Sequence, residues 1–149
     1  MEDSAKAGFV HNFTKYTDWP AAFASSNTLL VCSLSAQPLS GKLELMQGRQ
    51  VQGREIRVRT PIRFGEMRDC QVLFIAADEE SRIDSILRSA GQYPILTISD
   101  ASGFVQAGGI IELKLRGGRF RFDINQGAAR QVGLKLSSQM LKLADEVLP

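Results

Sequence analysis

Three short runs, Thr28 to Leu34, Val72 to Ala76 and Ile95 to Ile98, are almost wholly apolar and rich in β-branched residues, with no alternation. Strands of that kind are buried on both faces, as in a parallel sheet covered by helices. The segments between them carry a helical period. Pro38 opens one with Leu39, Leu43 and Met46 before Gly48, and Asp78 is placed to cap another with Ile83, Ile86, Leu87 and Ala90 before Gly91. Further on, Ile111, Leu113 and Leu115 alternate with Glu112, Lys114 and Arg116, and Phe120, Phe122 and Ile124 alternate with Arg119, Arg121 and Asp123. That pattern predicts a half-buried antiparallel hairpin turned by Gly117-Gly118. Phe9, Val10, Phe13 and Tyr16 mark an N-terminal helix that Pro20 ends after Trp19, and Met140, Leu141, Leu143 and Ala144 mark a final one. The predicted fold is a single α/β domain over residues 1–149. It has a mixed, mostly parallel sheet flanked by helices, a C-terminal antiparallel hairpin at one edge and a final helix. Phe122, Ile124, Leu141 and Leu143 are expected in its core, and Trp19 is expected to pack on the sheet.

A chain of 149 residues buries about 70% of the surface its unfolded form exposes, so it needs neither metal nor disulfide to fold. Its 18 basic and 16 acidic residues nearly cancel, which gives no electrostatic case for nucleic acid or for general binding to a membrane surface. No run of 18 apolar residues is present, so no insertion into a membrane is expected. Met1-Glu2-Asp3-Ser4-Ala5-Lys6 has neither the basic nor the apolar part of a secretory signal, which fits a cytosolic protein or a mature secreted form. Cys32 and Cys70 lie in or beside neighbouring apolar runs. They are either bridged, closing a loop worth about 4 kcal/mol, or two buried and inert thiols.

In an open parallel sheet, ligands bind beyond the carboxyl ends of the strands. The loops there carry Ser33, Ser35, Asp78, Ser99, Asp100 and Ser102. Asp100 with Ser102 is the ligand-binding candidate, because a carboxylate beside a serine suits an amine or hydroxyl; the same positions also suit helix and turn caps. Gly108-Gly109 lacks the spacing of a phosphate-cradling loop and reads as a turn or bulge. His11 is the sole histidine and lies off the apolar stripe of its helix, so it is expected at the surface without a catalytic role. There is no nucleophile elbow, metal-ligand spacing or HExxH, and no catalytic residue, metal or cofactor is expected. Between Arg49 and Arg68, six arginines stand against Glu55 and Glu66. Arg54, Arg57, Arg59 and Arg63 are the partner-binding candidates, since arginine engages carboxylates or phosphates at interfaces; a solvated edge strand charged against aggregation has the same pattern.

Taken together, Phe13 to Pro20, Cys70 to Ile75 and the stretch from Gly108-Gly109-Ile110 through Arg119-Phe120-Arg121-Phe122-Asp123-Ile124-Asn125 to Ser137–Ala144 resemble the YfiR family of bacterial periplasmic proteins. The resemblance runs from about Ala5 to Val147. It implies a disulfide between Cys32 and Cys70, and hence an oxidising compartment. It also implies a non-enzymatic periplasmic regulator that forms homodimers. The partner implied is the periplasmic domain of an inner-membrane signalling protein, in the best-known case a diguanylate cyclase held inactive, which ties the protein to cyclic di-GMP and biofilm formation. Some members carry a second cysteine pair near residues 108 and 109; this chain has none there, so redox behaviour tied to that pair does not carry over. The alternative is a small-molecule sensor acting on another membrane partner.

Overall fold

A computed structural model describes residues 2–23 and 27–149. The chain forms α1 (Glu2–Lys15), β1 (Thr17–Asp18), β2 (Thr28–Ser33), β3 (Gln50–Val51), β4 (Arg54–Arg59), β5 (Val72–Ile75), α2 (Ile83–Ala90), β6 (Leu96–Ser99), β7 (Ile111–Arg116), β8 (Arg119–Asn125), α3 (Gln126–Gln131), β9 (Lys135–Leu136), α4 (Ser138–Leu143) and β10 (Glu146–Leu148). One eight-stranded sheet has the order β10-β8-β7-β6-β5-β2-β4-β3, and β1 pairs with β9 in a small separate ribbon. Strands β4, β2, β5, β6 and β7 are parallel in succession, while β3 and β8 run antiparallel to their neighbours β4 and β7.

The three unalternating runs are central strands buried on both faces. Leu29, Val31, Val72, Phe74, Leu96 and Ile98 enter one core with Val10 and Phe13 of α1, Leu43, Met46 and Met140. Cys32, Leu73, Ile75 and Ile95 enter the other with Met67, Ile83, Ile86 and Phe104. Helix α1 ends at Lys15, short of Pro20, and Trp19 follows β1; it is buried, and its indole Nε1 donates to the Gln71 carbonyl at 2.9 Å, pinning the segment after β1 to the start of β5. Asn125 caps α3 by accepting from the Ala128 amide and donates to the Val105 carbonyl, both at 2.9 Å.

Several expectations are corrected. Residues Pro38–Met46 are not a regular helix but 3-10 turns broken where Leu39, Ser40 and Gly41 take left-handed conformations, although Leu39, Leu43 and Met46 are buried as the period requires. Asp78 caps no helix; it lies exposed in 3-10 turns, Ala77–Arg82, that precede α2. The hairpin is not at the sheet edge, because β10 pairs in parallel with β8 beyond it. Its polar face is not uniformly wet either. Glu112 is buried, accepting from the Gly103 and Val105 amides, and Asp123 is buried against Lys114 and the Glu146 amide. Leu143 is 68% exposed and Leu141 half-buried, since α4 spans only six residues and turns Met140 inward instead.

His11 is the correction with a measurable consequence. The turns at 38–46 pack along α1, so the flank of the helix that carries Ala7, His11 and Thr14 is covered as well as the aromatic stripe. The His11 ring is buried with Nδ1 unpartnered, and burial, followed by the Arg49 and Lys15 charges, holds its pKa below the ordinary value. A lowered folded-state pKa means that the unfolded chain binds the proton more readily. The stability is therefore fully present above the unfolded value near 6.5 and is lost as the pH falls through the lower folded value. Denaturant midpoints taken at pH 7.5 and 5.5 are expected to fall more for the natural chain than for His11→Gln, and equal falls would show that the ring does not titrate in this environment.

Candidate functional site

The candidate residues fall in two places, the carboxyl ends of the parallel strands and the basic segment around β4. The chain leaves β2 toward β4 on one side, and β5 and β6 lie on the other. The strand order therefore reverses between β2 and β5, the usual position for a ligand crevice. The side chains there are engaged with one another. Ser33 Oγ accepts from the Ser35 amide at 3.2 Å, and Ser35 donates to Glu79 Oε1 at 2.8 Å. Asp100 Oδ1 accepts from the Ala77 amide at 2.9 Å, which ties the end of β6 to the end of β5, and its Oδ2 accepts from Lys6 Nζ at 2.8 Å. Both side chains of the Lys6–Asp100 pair are largely covered. Asp100 thus binds an amine, but the amine belongs to α1. Ser102 stands exposed on the following turn, and Ser99 Oγ accepts from the Ala101 amide. Lys6 is the residue sequence reasoning missed, because it precedes Asp100 by 94 positions and no local pattern links the two.

The second place is an open groove of about 580 Å³ floored by Thr28, Leu30 and Gln71 and walled by Arg57, Arg59 and Arg68. Alternation puts Arg57 and Arg59 on the same face of β4, and both are exposed. Strand β3 pairs with Arg54 and Glu55, and Ile56 bonds to the Gly48 amide and Arg49 carbonyl just before β3, so the edge of β4 opens only from Arg57 on, where the Val58 amide is capped by Gln47 Oε1 at 2.7 Å. Glu55 lies 3.5 Å from Arg57, and Asp69 lies 4.0 Å from Arg59. Exposed pairs at such distances hold the guanidinium groups only loosely. Of the four arginines singled out from the sequence, Arg57 and Arg59 meet in this groove. Arg54 belongs to the opposite strand face, with its guanidinium on Gln52, and Arg63 lies beyond the strand, where its amide donates to Glu66. Arg68 joins the groove instead, from the 3-10 turns Phe64–Asp69.

The disulfide between Cys32 and Cys70 closes one end of this arrangement. Cys32 is next to last in β2, and Cys70 ends the turns that carry Arg68 and Asp69, so the bond anchors one groove wall to the sheet. Buried Gln71 completes the support by accepting from the Leu30 amide at 2.7 Å and donating to the Phe23 carbonyl at 3.3 Å. A further groove of about 350 Å³ lies between α2 and α3, with Ile95, Thr97 and Ile110 beneath it and Asp84, Arg88 and Gln131 at its rim. Among the described residues no cluster of three or more His, Cys, Asp or Glu side chains is arranged to hold a metal, and no helix is long and apolar enough to cross a membrane.

Comparison with known proteins places this architecture. A conserved domain protein from Vibrio cholerae O1 biovar El Tor strain N16961 superposes with a TM-score of 0.64 at 12% identity, over 97% of this chain and 60% of that one. The ABC domain from Streptococcus pneumoniae, solved in complex with L-Trp, gives a TM-score of 0.55 at 13% identity, over 82% of this chain and 55% of that one. The chain thus spans less than two thirds of either structure, and at such identities the likeness is one of fold. No curated protein matches. The model of the YfiR/HmsC-like family, however, matches residues 3–145, which takes in both candidate sites and the disulfide. The chain belongs to the YfiR/HmsC-like family.

Proposed function

We propose that this is a non-enzymatic periplasmic regulator that binds the periplasmic part of an inner-membrane signalling protein, a diguanylate cyclase, and holds it inactive. It would thereby restrain cyclic di-GMP signalling and biofilm formation. The observation that carries this reading is the family match over nearly the whole chain. The Cys32–Cys70 disulfide supports it, since such bonds persist in oxidising compartments. The groove of Arg57, Arg59 and Arg68 is the proposed partner surface, because loosely held guanidinium groups on a strand and on a turn tied to the sheet by a disulfide suit the carboxylates of a protein ligand. Repression requires tighter binding to the inactive form of the partner, about 1.4 kcal/mol for each tenfold shift. We also propose a homodimer, which sedimentation equilibrium would check.

Deleting the gene in its host is expected to raise cellular cyclic di-GMP, and secreted protein to restore it; an unchanged level with the gene expressed would exclude the cyclase. Arg57→Glu with Arg59→Glu is expected to weaken partner binding at least about thirtyfold, or about 2 kcal/mol, as for arginine hot spots. Both side chains are exposed, so the melting temperature should stay put. Tight binding by the double variant would move the partner surface elsewhere.

A second reading, a small-molecule sensor, is favoured by the Lys6–Asp100 pair, where a ligand ammonium could replace Lys6 on the carboxylate near Ser102. It predicts saturable thermal stabilisation by an amine ligand, stronger in Lys6→Ala than in the natural chain. Absence of stabilisation in both across amino acids and polyamines would remove it.

A further inference from the structure

The hairpin of β7 and β8 projects past the body of the sheet. Its last register pair with β6 is Ser99 with Glu112, yet it continues through Leu113, Lys114, Leu115 and Arg116, paired with Phe122, Arg121, Phe120 and Arg119. On one face of this ribbon Lys114 stands directly opposite Arg121, and Arg116 opposite Arg119. Like charges placed so are destabilising. Asp145 partly offsets them, lying 3.0 Å from Lys114, 2.8 Å from Arg116 and 3.5 Å from Arg121, and Asp123 lies 2.9 Å from Lys114. Lys114, Arg116, Arg119 and Arg121 thus share a face with Asp123 and Asp145, with Glu146 exposed beside Asp123 and Glu112 turned onto the Gly103 and Val105 amides, and the Arg119 guanidinium at the tip has no side-chain partner among the described residues.

The other face is apolar; Leu113 and Phe122 are covered at its base, where Phe9 and Phe13 of α1 pack on Phe122, and it opens toward the tip. Leu115 is 51% exposed next to Phe120, whose ring lies 6.1 Å from that of Phe9. Leu143 of α4 is exposed beside a cleft of about 170 Å³ walled by Phe9, Tyr16 and Phe122. The turn is Gly117-Gly118, so no side chain blocks the tip.

We propose that this hairpin docks on the surface of an anionic phospholipid bilayer, with Leu115, Phe120 and Leu143 entering the headgroup boundary and Arg116, Arg119 and Arg121 reaching lipid phosphates. A cationic face backed by Leu and Phe is the signature of an element lying in the interface plane, and long arginine side chains reach phosphates from there. An acidic peptide would satisfy the arginines but leave Leu115 and Leu143 in water; a bilayer offers phosphate and acyl chain within a few ångströms of each other. The near-neutral balance of the whole chain does not oppose this, because the field that matters extends only about 8–10 Å at physiological salt. This inference stands apart from the identity of the signalling partner.

The test is co-sedimentation of the disulfide-intact chain with vesicles of phosphatidylcholine, alone or mixed with phosphatidylglycerol, at low and physiological salt. Binding to the mixed vesicles only is expected. Arg119→Gln should lower the partition coefficient about fivefold, and Leu115→Ser about tenfold, with unchanged melting temperatures because both residues are exposed. Inorganic phosphate at matched ionic strength should not compete. The proposal is overturned by failure to bind anionic vesicles, by equal binding of both variants, by full competition from phosphate, or by tighter retention on polyglutamate than on the vesicles.

Discussion

Replacing Cys32 and Cys70 together by serine is expected to lower the folding stability by about 4 kcal/mol. The bond joins residues 38 positions apart, and opening a loop of that size returns configurational freedom to the unfolded chain. Both sulfurs are fully buried in the second core beside Leu73, so two hydroxyls would also be left among apolar neighbours. Guanidinium unfolding of the double variant, and of the natural chain with and without reductant, measures the effect. A loss below about 1 kcal/mol would mean that native packing holds this region without the bond. Because Cys70 ends the turns that carry Arg68, the same variant should also weaken partner binding through the basic groove, more than its surviving folded fraction explains.

Phe104→Ala comes next, at about 3–5 kcal/mol. This ring is fully buried on the second core and lies against the backbone of Gly109, close enough that a Cβ there would fall within the ring. Gly109 in turn donates its amide to the Phe104 carbonyl at 2.9 Å, so the loop is closed around the ring. Gly109→Ala should therefore cost about 1–3 kcal/mol by overpacking. The Phe104→Ala, Gly109→Ala double variant should be less destabilised than the sum, since the added methyl enters the vacated space. Strict additivity in urea unfolding would show that the two residues do not share that space.

The contrast between Gly109 and Asp100 shows what local pattern conveys. A Gly-Gly pair entering a strand signals close backbone approach, and Gly109 has it, but only the fold supplies Phe104 as the neighbour. Asp100 after an apolar run signals a strand end, and it is one. Its two partners come from the end of β5 and from α1, and neither leaves a mark near Asp100 in the chain. Arg57 and Arg59 were legible as one strand face because period-two alternation is local. Arg68 was not, because its place in the groove depends on where the disulfide holds its turn. The burial of His11 is hidden from the sequence for a similar reason. Its position off the aromatic stripe is true of the isolated helix, but the broken turns at 38–46 bury that flank as well.

Local pattern in the chain is enough for the strands buried on both faces, the helix that follows β5, the paired strands around Gly117-Gly118 and the single-domain α/β class. These follow from hydrophobic period and turn chemistry acting within a few residues. It takes the assembled fold to bring β10 against the hairpin edge, to bury Glu112 and Asp123 on its polar face, to set Lys6 on Asp100, and to gather Arg57, Arg59 and Arg68 in one groove. Each of these depends on contacts between distant segments, where burial and charge pairing are set by what the fold brings near and not by the residue's own neighbours in the chain.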